Sequence, residues 1–430
     1  MVDSGIAGRV ADALEIDADV FQARVESDAE VIKSELNKGT FDNAQGIVGL
    51  EYEFYAVDEQ SCALHRVPRR LLDLIGFEKE LGLHNAEMNT SPQPLNAAGL
   101  LAQEAEVNAR LSAALDRTRS EQMRLVSDAM WTIPPTGETA KDYLTDSVDI
   151  DGVRVATNMS DAVRYHAMAN SARPAGRIIE APHVSLRSDT IMPESLITSI
   201  QPHYQVPQAV DLPTFFRYAI RIAGPLLALG VNSPFFPPDL YDDGVEAEEV
   251  IEDAWMEHRI SVFETVMNTD QMAKVRFPND IESPEDAVDL VVNDDTFVPM
   301  PVERGNRFDD QFAYFRMKHG TYWRWVRPVF EGATETSAHA RIEFRPISGQ
   351  PTVRDSIAFQ AVYAGLLEAM FRDEHGAYEI DWTDARNNFY DAMREGIGAE
   401  LQWITADGDP KTDTSLIYED IFETAADGLK

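Results

Sequence analysis

The chain has 430 residues, with 74 acidic against 37 basic side chains, a formal charge of −37 and one cysteine, Cys62. That charge excludes nucleic acid or an anionic membrane as partner, since both need a basic footprint, and a lone cysteine excludes an intrachain disulfide or a cysteine-built zinc cluster. Acidic residues are spread along the chain and only eight of the basic residues are lysine, the surface chemistry by which halophiles stay dissolved, which predicts a cytoplasmic protein of a high-salt organism.

The N-terminus has no basic and apolar signal pattern. Residues 17–38 read as an exposed, charged helix and 46–57 as a buried strand. A second strand is expected over 82–90, ending at Ser91-Pro92, followed by a long helix from about Ala98 to Ala129 that Trp131 to Pro135 terminates. Residues 136–160 are polar and acidic and read as a loop or lid. Asp161 to Asn170 reads as a short helix with Asp161 as its N-cap. Extended segments follow at 179–187 and 198–206, then an apolar helix from Pro213 to Leu229. The longest apolar stretch, Ile222 to Phe236, is broken by Gly and Pro and too short to span a bilayer. Residues 246–268 read as one amphipathic helix and 278–312 as acidic loop. Strands are expected at 321–330 and 338–346, helices at 355–372 and 383–400, and one last helix in the acidic tail. Strands scattered among helices without regular alternation give an α+β class with a largely antiparallel sheet. The domain reading is a helical segment 1–45, a main domain 46–400 with acidic insertions, and an acidic tail 401–430.

Chemistry concentrates in a few stretches. In Arg341-Ile342-Glu343-Phe344-Arg345, a strand puts Arg341, Glu343 and Arg345 on one face and Ile342 and Phe344 on the other. Two cations around a carboxylate suit a divalent metal with a phosphate or carboxylate ligand; the same array also serves as a surface salt-bridge ladder. Glu51 and Glu53 share a strand face opposite Leu50, Tyr52 and Phe54. Paired carboxylates there are costly unless a cation such as Mg²⁺ offsets them, or unless they lie on an acidic outer surface. Glu87 is a third strand acid. Gln201, His203 and Gln205 share a face and can bind metal or a polar ligand, although a single histidine is equally at home in a structural hydrogen bond. Arg327, among tryptophans, can clamp an anion or pack on an aromatic surface. Gly-x-x-x-x-Gly-Lys-Ser/Thr, Gly-x-Gly-x-x-Gly, Gly-x-Ser-x-Gly and His-Glu-x-x-His patterns are absent. Any bound ATP must therefore be held by metal ions and arginines.

These stretches resemble the carboxylate–amine ligase family, which includes the bacterial and archaeal glutamate–cysteine ligases related to glutamine synthetase; the chain is similar to a haloarchaeal-type member. Gly49-Leu50-Glu51-Tyr52-Glu53-Phe54 resembles the family's Gly-Val-Glu-x-Glu-Phe, and Glu87-Met88-Asn89-Thr90 the segment ahead of its long helix. Arg164-Tyr165, Asn232-Ser233-Pro234-Phe235, and Ile342-Glu343-Phe344-Arg345 followed by Gln350-Pro351-Thr352-Val353 match further blocks in order. Gln201 stands where the family pattern has histidine, and Gln205 where it has glycine. The resemblance implies a glutamine-synthetase-like curved sheet with helices on its outer face. It also implies ATP and Mg²⁺ (or Mn²⁺) as cofactors and small-molecule amino-acid and amine substrates. By position it makes Glu51, Glu53, Glu87, His203 and Glu343 metal ligands, and gives Arg345 and Arg327 catalytic work. It places Asn232, Arg259 and Arg341 near the nucleotide, and Thr90, Gln201 and Gln205 near substrate. The activity implied is amide formation through an acyl phosphate. Two other classes fit the same residues: a non-catalytic paralogue binding nucleotide or amino acid, and a metal-dependent amidase. A homo-oligomer is compatible with the acidic surface.

Overall fold

The Ile47–Asp58 strand, β1, organises the molecule. Its residues alternate between half-buried and buried from Ile47 to Phe54, and Tyr55 to Val57 are buried throughout. That period of two gives the strand one polar and one apolar face. The computed structural model describes residues 4–171, 177–269 and 272–430. In it, β1 lies inside an eight-stranded sheet with β2 (Glu78–Lys79), β3 (Asn85–Asn89), β4 (Gln93–Pro94), β5 (Met123–Val126), β6 (Ile200–Gln205), β7 (Val326–Glu331) and β8 (His339–Phe344). The order is β7-β8-β6-β1-β3-β2, with β4 and β5 also paired to β1. Every pairing in this sheet is antiparallel.

The apolar face carries Leu50, Tyr52, Phe54, Met88, Tyr204, Ile342 and Phe344, all buried. Helices α1 (Ala97–Thr118), α2 (Leu212–Gly230) and α3 (Val353–Arg372) cover it. Phe344 stacks on Tyr363 at 4.6 Å and Tyr204 meets Phe215 at 5.3 Å. Thr352 caps α3, its hydroxyl accepting from the Asp355 N–H. A second helical layer follows. The Trp382–Glu395 helix packs on α2, and the Thr414–Gly428 helix, from the acidic tail, packs along α3.

Several expected elements differ. The long helix stops at Thr118, and Gln122 turns the chain with φ of 57° into strand β5, paired to Tyr55–Asp58. Pairing with the buried end of β1 outweighs the helical propensity of the segment. Residues 136–160 are not an open loop. They form the Ala140–Thr145 helix and a Ser147–Ile150/Val153–Ala156 hairpin, whose Asp151-Gly152 turn has positive φ at both residues, the dipeptide such turns demand. Tyr143 of that helix bonds His84 at 2.9 Å, anchoring the segment to the core. Asp161 does not cap the Val163–Ser171 helix; it pairs with Arg69 and Lys79.

Residues 246–268 split into Ala247–Asp253 and His258–Met267. Between them Glu257, wholly buried, accepts from the Asn232 N–H and the Ser233 hydroxyl. The 278–312 stretch contains the Pro284–Val292 helix, capped reciprocally by Ser283 and Asp286. The Ala18–Asn37 helix is not fully exposed. It buries Phe21, Val25, Ala29 and Ile32 against the Pro284–Val292 and Ala313–His319 helices, while its Asp28 accepts from the Tyr314 N–H at 2.7 Å.

Close packing of α3 against the Thr414–Gly428 helix depends on Gly365, where a Cβ would collide with the Ala425 carbonyl oxygen and lie 2.9 Å from Leu429 Cγ. Gly365→Ala is expected to lower unfolding stability by about 2 kcal/mol in urea titrations. Gly8→Ala, in a helix with nothing within 4 Å, should raise it by about 0.5–1 kcal/mol.

Candidate active site on the polar face of the sheet

The strand register brings the polar residues into rows. Gly49, His203, Glu343 and Arg327 lie directly opposite one another across β1, β6, β8 and β7. The next row holds Asn89, Glu51 and Gln201, and the one beyond it Glu87 and Glu53. On the other side, Gln205 faces Arg341. Side chains at every second position of each strand thus reach the same face.

Glu51, His203 and Glu343 present ligand atoms all within 4.8 Å of one another. His203 Nε2 lies 3.3 Å from Glu51 and is buried with no hydrogen-bond partner. Its Nδ1 accepts from Arg341 Nε at 2.9 Å, and Arg341 also bonds Glu331. Nε2 therefore carries the ring proton in this arrangement. A cation at Nε2 requires that proton on Nδ1 and Arg341 turned away. Glu343 is gripped by Arg327 through two hydrogen bonds of 2.8 and 3.0 Å and by Arg345 at 2.5 Å. Burial by itself would raise Glu343, but Arg327 and Arg345 hold it well below the carboxylate range.

A cavity of about 210 Å³ opens over this face, lined by Glu51, Glu53, Glu80, Glu87 and Glu194 facing Arg164, Arg327 and Arg345. Here the acids outnumber the cations. Burial, then the charge of Glu80, raises Glu53 to about 7. Burial and the neighbouring Glu51 and Glu80 raise Glu87 well above its ordinary value, and burial with Glu80 and Glu53 raises Glu194 to about 8. Glu53 accepts from the Ser199 N–H at 2.6 Å and from Gln201 Nε2 at 2.9 Å. Gln201 in turn accepts from Arg345 at 2.6 Å. Gln201 thus links the acids of β1 to the arginine after β8 by its two amide ends. A crowded set of carboxylates suits divalent cations, and His203 Nε2 joins it as a ligand once the ring proton moves to Nδ1 and Arg341 turns away.

A second cavity of about 240 Å³ shares Glu51 with the first and is lined by Thr90, His203, Gln205, Glu331 and Arg341. Thr90 Oγ1 accepts from the Leu50 N–H at 2.9 Å, fixing the edge of β1. Glu51, Glu53, Glu87, His203, Glu343, Arg327, Arg341, Arg345, Gln201 and Gln205 are therefore gathered on one face, and Thr90 stands at its rim, its hydroxyl also accepting from Gln103 of α1. Asn232 and Arg259 are not in either cavity. Asn232 donates to Asp128 and Gly349, both at 2.9 Å. Arg259 is buried under Trp325 and donates to the Arg345 and Pro346 carbonyls. It braces the backbone that presents Arg345.

Four charged or phenolic cavity residues are additions to the expected set. Glu80 and Glu194 lie outside regular strands, so no period-two pattern marks them. Arg164 and Tyr165 open a short helix; Tyr165 donates to Glu80 at 3.2 Å, and Arg164 donates to Tyr165 at 3.1 Å. Their adjacent pairing in the sequence was the available signal.

The model of glutamate-cysteine ligase family 2 matches residues 47–426. Among solved structures, the glutamate–cysteine ligase of Francisella tularensis in complex with AMP is similar with a TM-score of 0.50 at 12% identity, over 90% of this chain and 80% of that one; this is a likeness of fold. A bifunctional glutathione synthetase from Pasteurella multocida aligns with a TM-score of 0.48 and 14% identity over 93% of this chain and 47% of its own. No curated protein matched the sequence.

A cation entering the acidic cavity must displace the protons that crowding retains. Below about 7 the proton on Glu53 competes, and each proton displaced weakens binding tenfold per pH unit. Mn²⁺ affinity followed by electron paramagnetic resonance is expected to rise at least about tenfold from pH 6 to pH 8, and an affinity flat across that interval would contradict this reading of the acids.

Proposed function

This chain belongs to glutamate-cysteine ligase family 2, and we propose that the polar sheet face is the centre at which it joins the side-chain carboxylate of glutamate to the amino group of cysteine at the expense of ATP. The observation that carries the reading is the convergence of Glu51 from β1 and Glu343 from β8 on His203, beside a cavity where Glu53 and Glu87 face Arg327 and Arg345. Glu51, His203 and Glu343 would hold one Mg²⁺ or Mn²⁺, and Glu53 and Glu87, joined by Glu80, a second. Bound there, such ions neutralise the phosphates of the nucleotide. On this reading the ligase domain would take in residues 46–400, with the helices from residue 4 to 45 and the 401–430 tail as additions to it.

The residues of the chain then divide the work. Arg345 and Arg327, fixed by Glu343, offer guanidinium donors to charge that develops on the γ-phosphoryl group as it leaves ADP. The substrate carboxylate oxygen bonds to phosphorus as the bond to the β-phosphate oxygen breaks, giving an acyl phosphate and ADP. The amine attacks the acyl carbon, loses a proton, and phosphate departs. No side-chain nucleophile is required. Around the second cavity, Arg341 would face the nucleotide and Thr90 and Gln205 the substrate, with Gln201 beside Arg345. The Arg164–Tyr165 pair, with Trp323 and Phe263, walls the acidic cavity, which limits hydrolysis of the intermediate; the 140–156 segment does not line it. The −37 charge suits a cytoplasm of high salt and small-molecule substrates.

Purified protein in concentrated KCl with ATP, Mg²⁺, glutamate and cysteine is expected to yield ADP, phosphate and γ-glutamylcysteine in equal amounts. Failure to form ADP with any of several amine acceptors would overturn the ligase reading, and tight ATP binding without turnover would select a regulatory paralogue instead. Arg345→Lys, which keeps the charge and loses the fork, should lower kcat by about 10²-fold or more with a smaller change in the KM for ATP.

A further inference from the structure

Away from the sheet's polar face, a cavity of about 210 Å³ lies between the β2–β3 connection and the Ser147–Ala156 hairpin. Ile6, Val67, Leu72, Leu83, Val155 and Met159 form apolar walls. Asn85, Ser160 and His166 also line it, and all three are more than nine-tenths buried. Asn85 Oδ1, Ser160 Oγ and His166 Nδ1 have no hydrogen-bond partner. Three such atoms around one cavity are uncommon, because a buried polar atom without a partner costs about 1–3 kcal/mol.

Their chemistry is complementary. His166 Nε2 lies 3.0 Å from the Ser160 carbonyl oxygen, so it carries the ring proton and leaves Nδ1 as a lone pair. Burial holds this histidine below its usual value, hence neutral. Asn85 Oδ1 is a second acceptor, and the Ser160 hydroxyl both donates and accepts. The charged groups lining the cavity, Arg69, Lys79 and Asp161, are paired with one another.

We propose that this cavity binds a small neutral primary carboxamide on a short branched aliphatic body. The two amide N–H groups answer the two acceptors, the amide oxygen answers Ser160, and the body covers the apolar walls. Water could satisfy the polar atoms but would leave those walls wet. The site is separate from the proposed active site and does not rest on the ligase reading. It is nonetheless adjacent to it: the Leu81–Leu83 strip, which pairs with Asn158–Ser160 by hydrogen bonds of 2.8 and 2.9 Å, follows directly on Glu80. An occupied cavity would brace the segment that carries that acid.

The test is calorimetric titration of the full chain with isobutyramide, with methyl isobutyrate as a probe that lacks the donors. Saturable one-to-one binding of isobutyramide is expected, with a Kd of about 1–10 mM and at least threefold tighter than for the ester. Ser160→Ala should weaken binding threefold or more while leaving Tm unchanged or raised, since the hydroxyl has no protein partner to lose. Leu72→Phe, which fills the apolar end, should reduce binding as well. No saturable binding, equal binding of amide and ester, or undiminished binding in both variants would each overturn the assignment.

Discussion

Repulsion among carboxylates crowded over one face of the sheet is the constraint that shapes this molecule. Glu51, Glu53, Glu80, Glu87 and Glu194 share a cavity, and Glu343 sits beside it fully buried. Ionised carboxylates out of water are tolerable only with paired cations or retained protons. The structure uses both. Arg327 and Arg345 keep Glu343 ionised, while Glu53, Glu87 and Glu194 rise toward protonation. Losing one partner of such a buried pair typically costs about 3–5 kcal/mol, so the arginines serve the fold as well as the chemistry.

The preference for arginine over lysine follows from the same constraint. The planar fork of Arg327 meets both oxygens of Glu343, which an ammonium point charge cannot do. Arg259 shows the second use: its guanidinium collects two carbonyls and a hydroxyl behind Arg345. A guanidinium can bind backbone acceptors in the interior with its charge retained, and in doing so it sets where the next arginine points.

Much of this was legible in the sequence because strands alternate. Glu51-x-Glu53 and Arg341-x-Glu343-x-Arg345 declare their common face without any knowledge of their neighbours. What alternation cannot supply is register: that His203 lies opposite Glu343, or that Gln201 lies opposite Glu51, is fixed by pairings between segments about 150 residues apart. Glu80 and Glu194 escaped because they stand outside the strands, while Asn232 and Arg259, placed near the nucleotide by resemblance, line neither cavity, because a resemblance fixes a neighbourhood, not a contact. The β5 strand was hidden behind helical propensity, and the 147–156 hairpin behind polar composition, although Asp151-Gly152 named its turn. The antiparallel sheet was legible in strands scattered among helices without regular alternation, and the family in short ordered motifs.

The alternation of β1 also limits how this protein can change. Between Ile47 and Phe54, Ile47, Gly49, Glu51 and Glu53 face the two cavities, and the alternate side chains are buried in the packed interior. Insertion or deletion of one residue there would exchange the two sets, sending acids into the hydrophobic layer and aromatics into the cleft. Drift in this stretch is therefore confined to replacements at constant length. Additions and losses can accumulate only at the rims, in connections such as those leading from β1 to β3 and from β5 to β6.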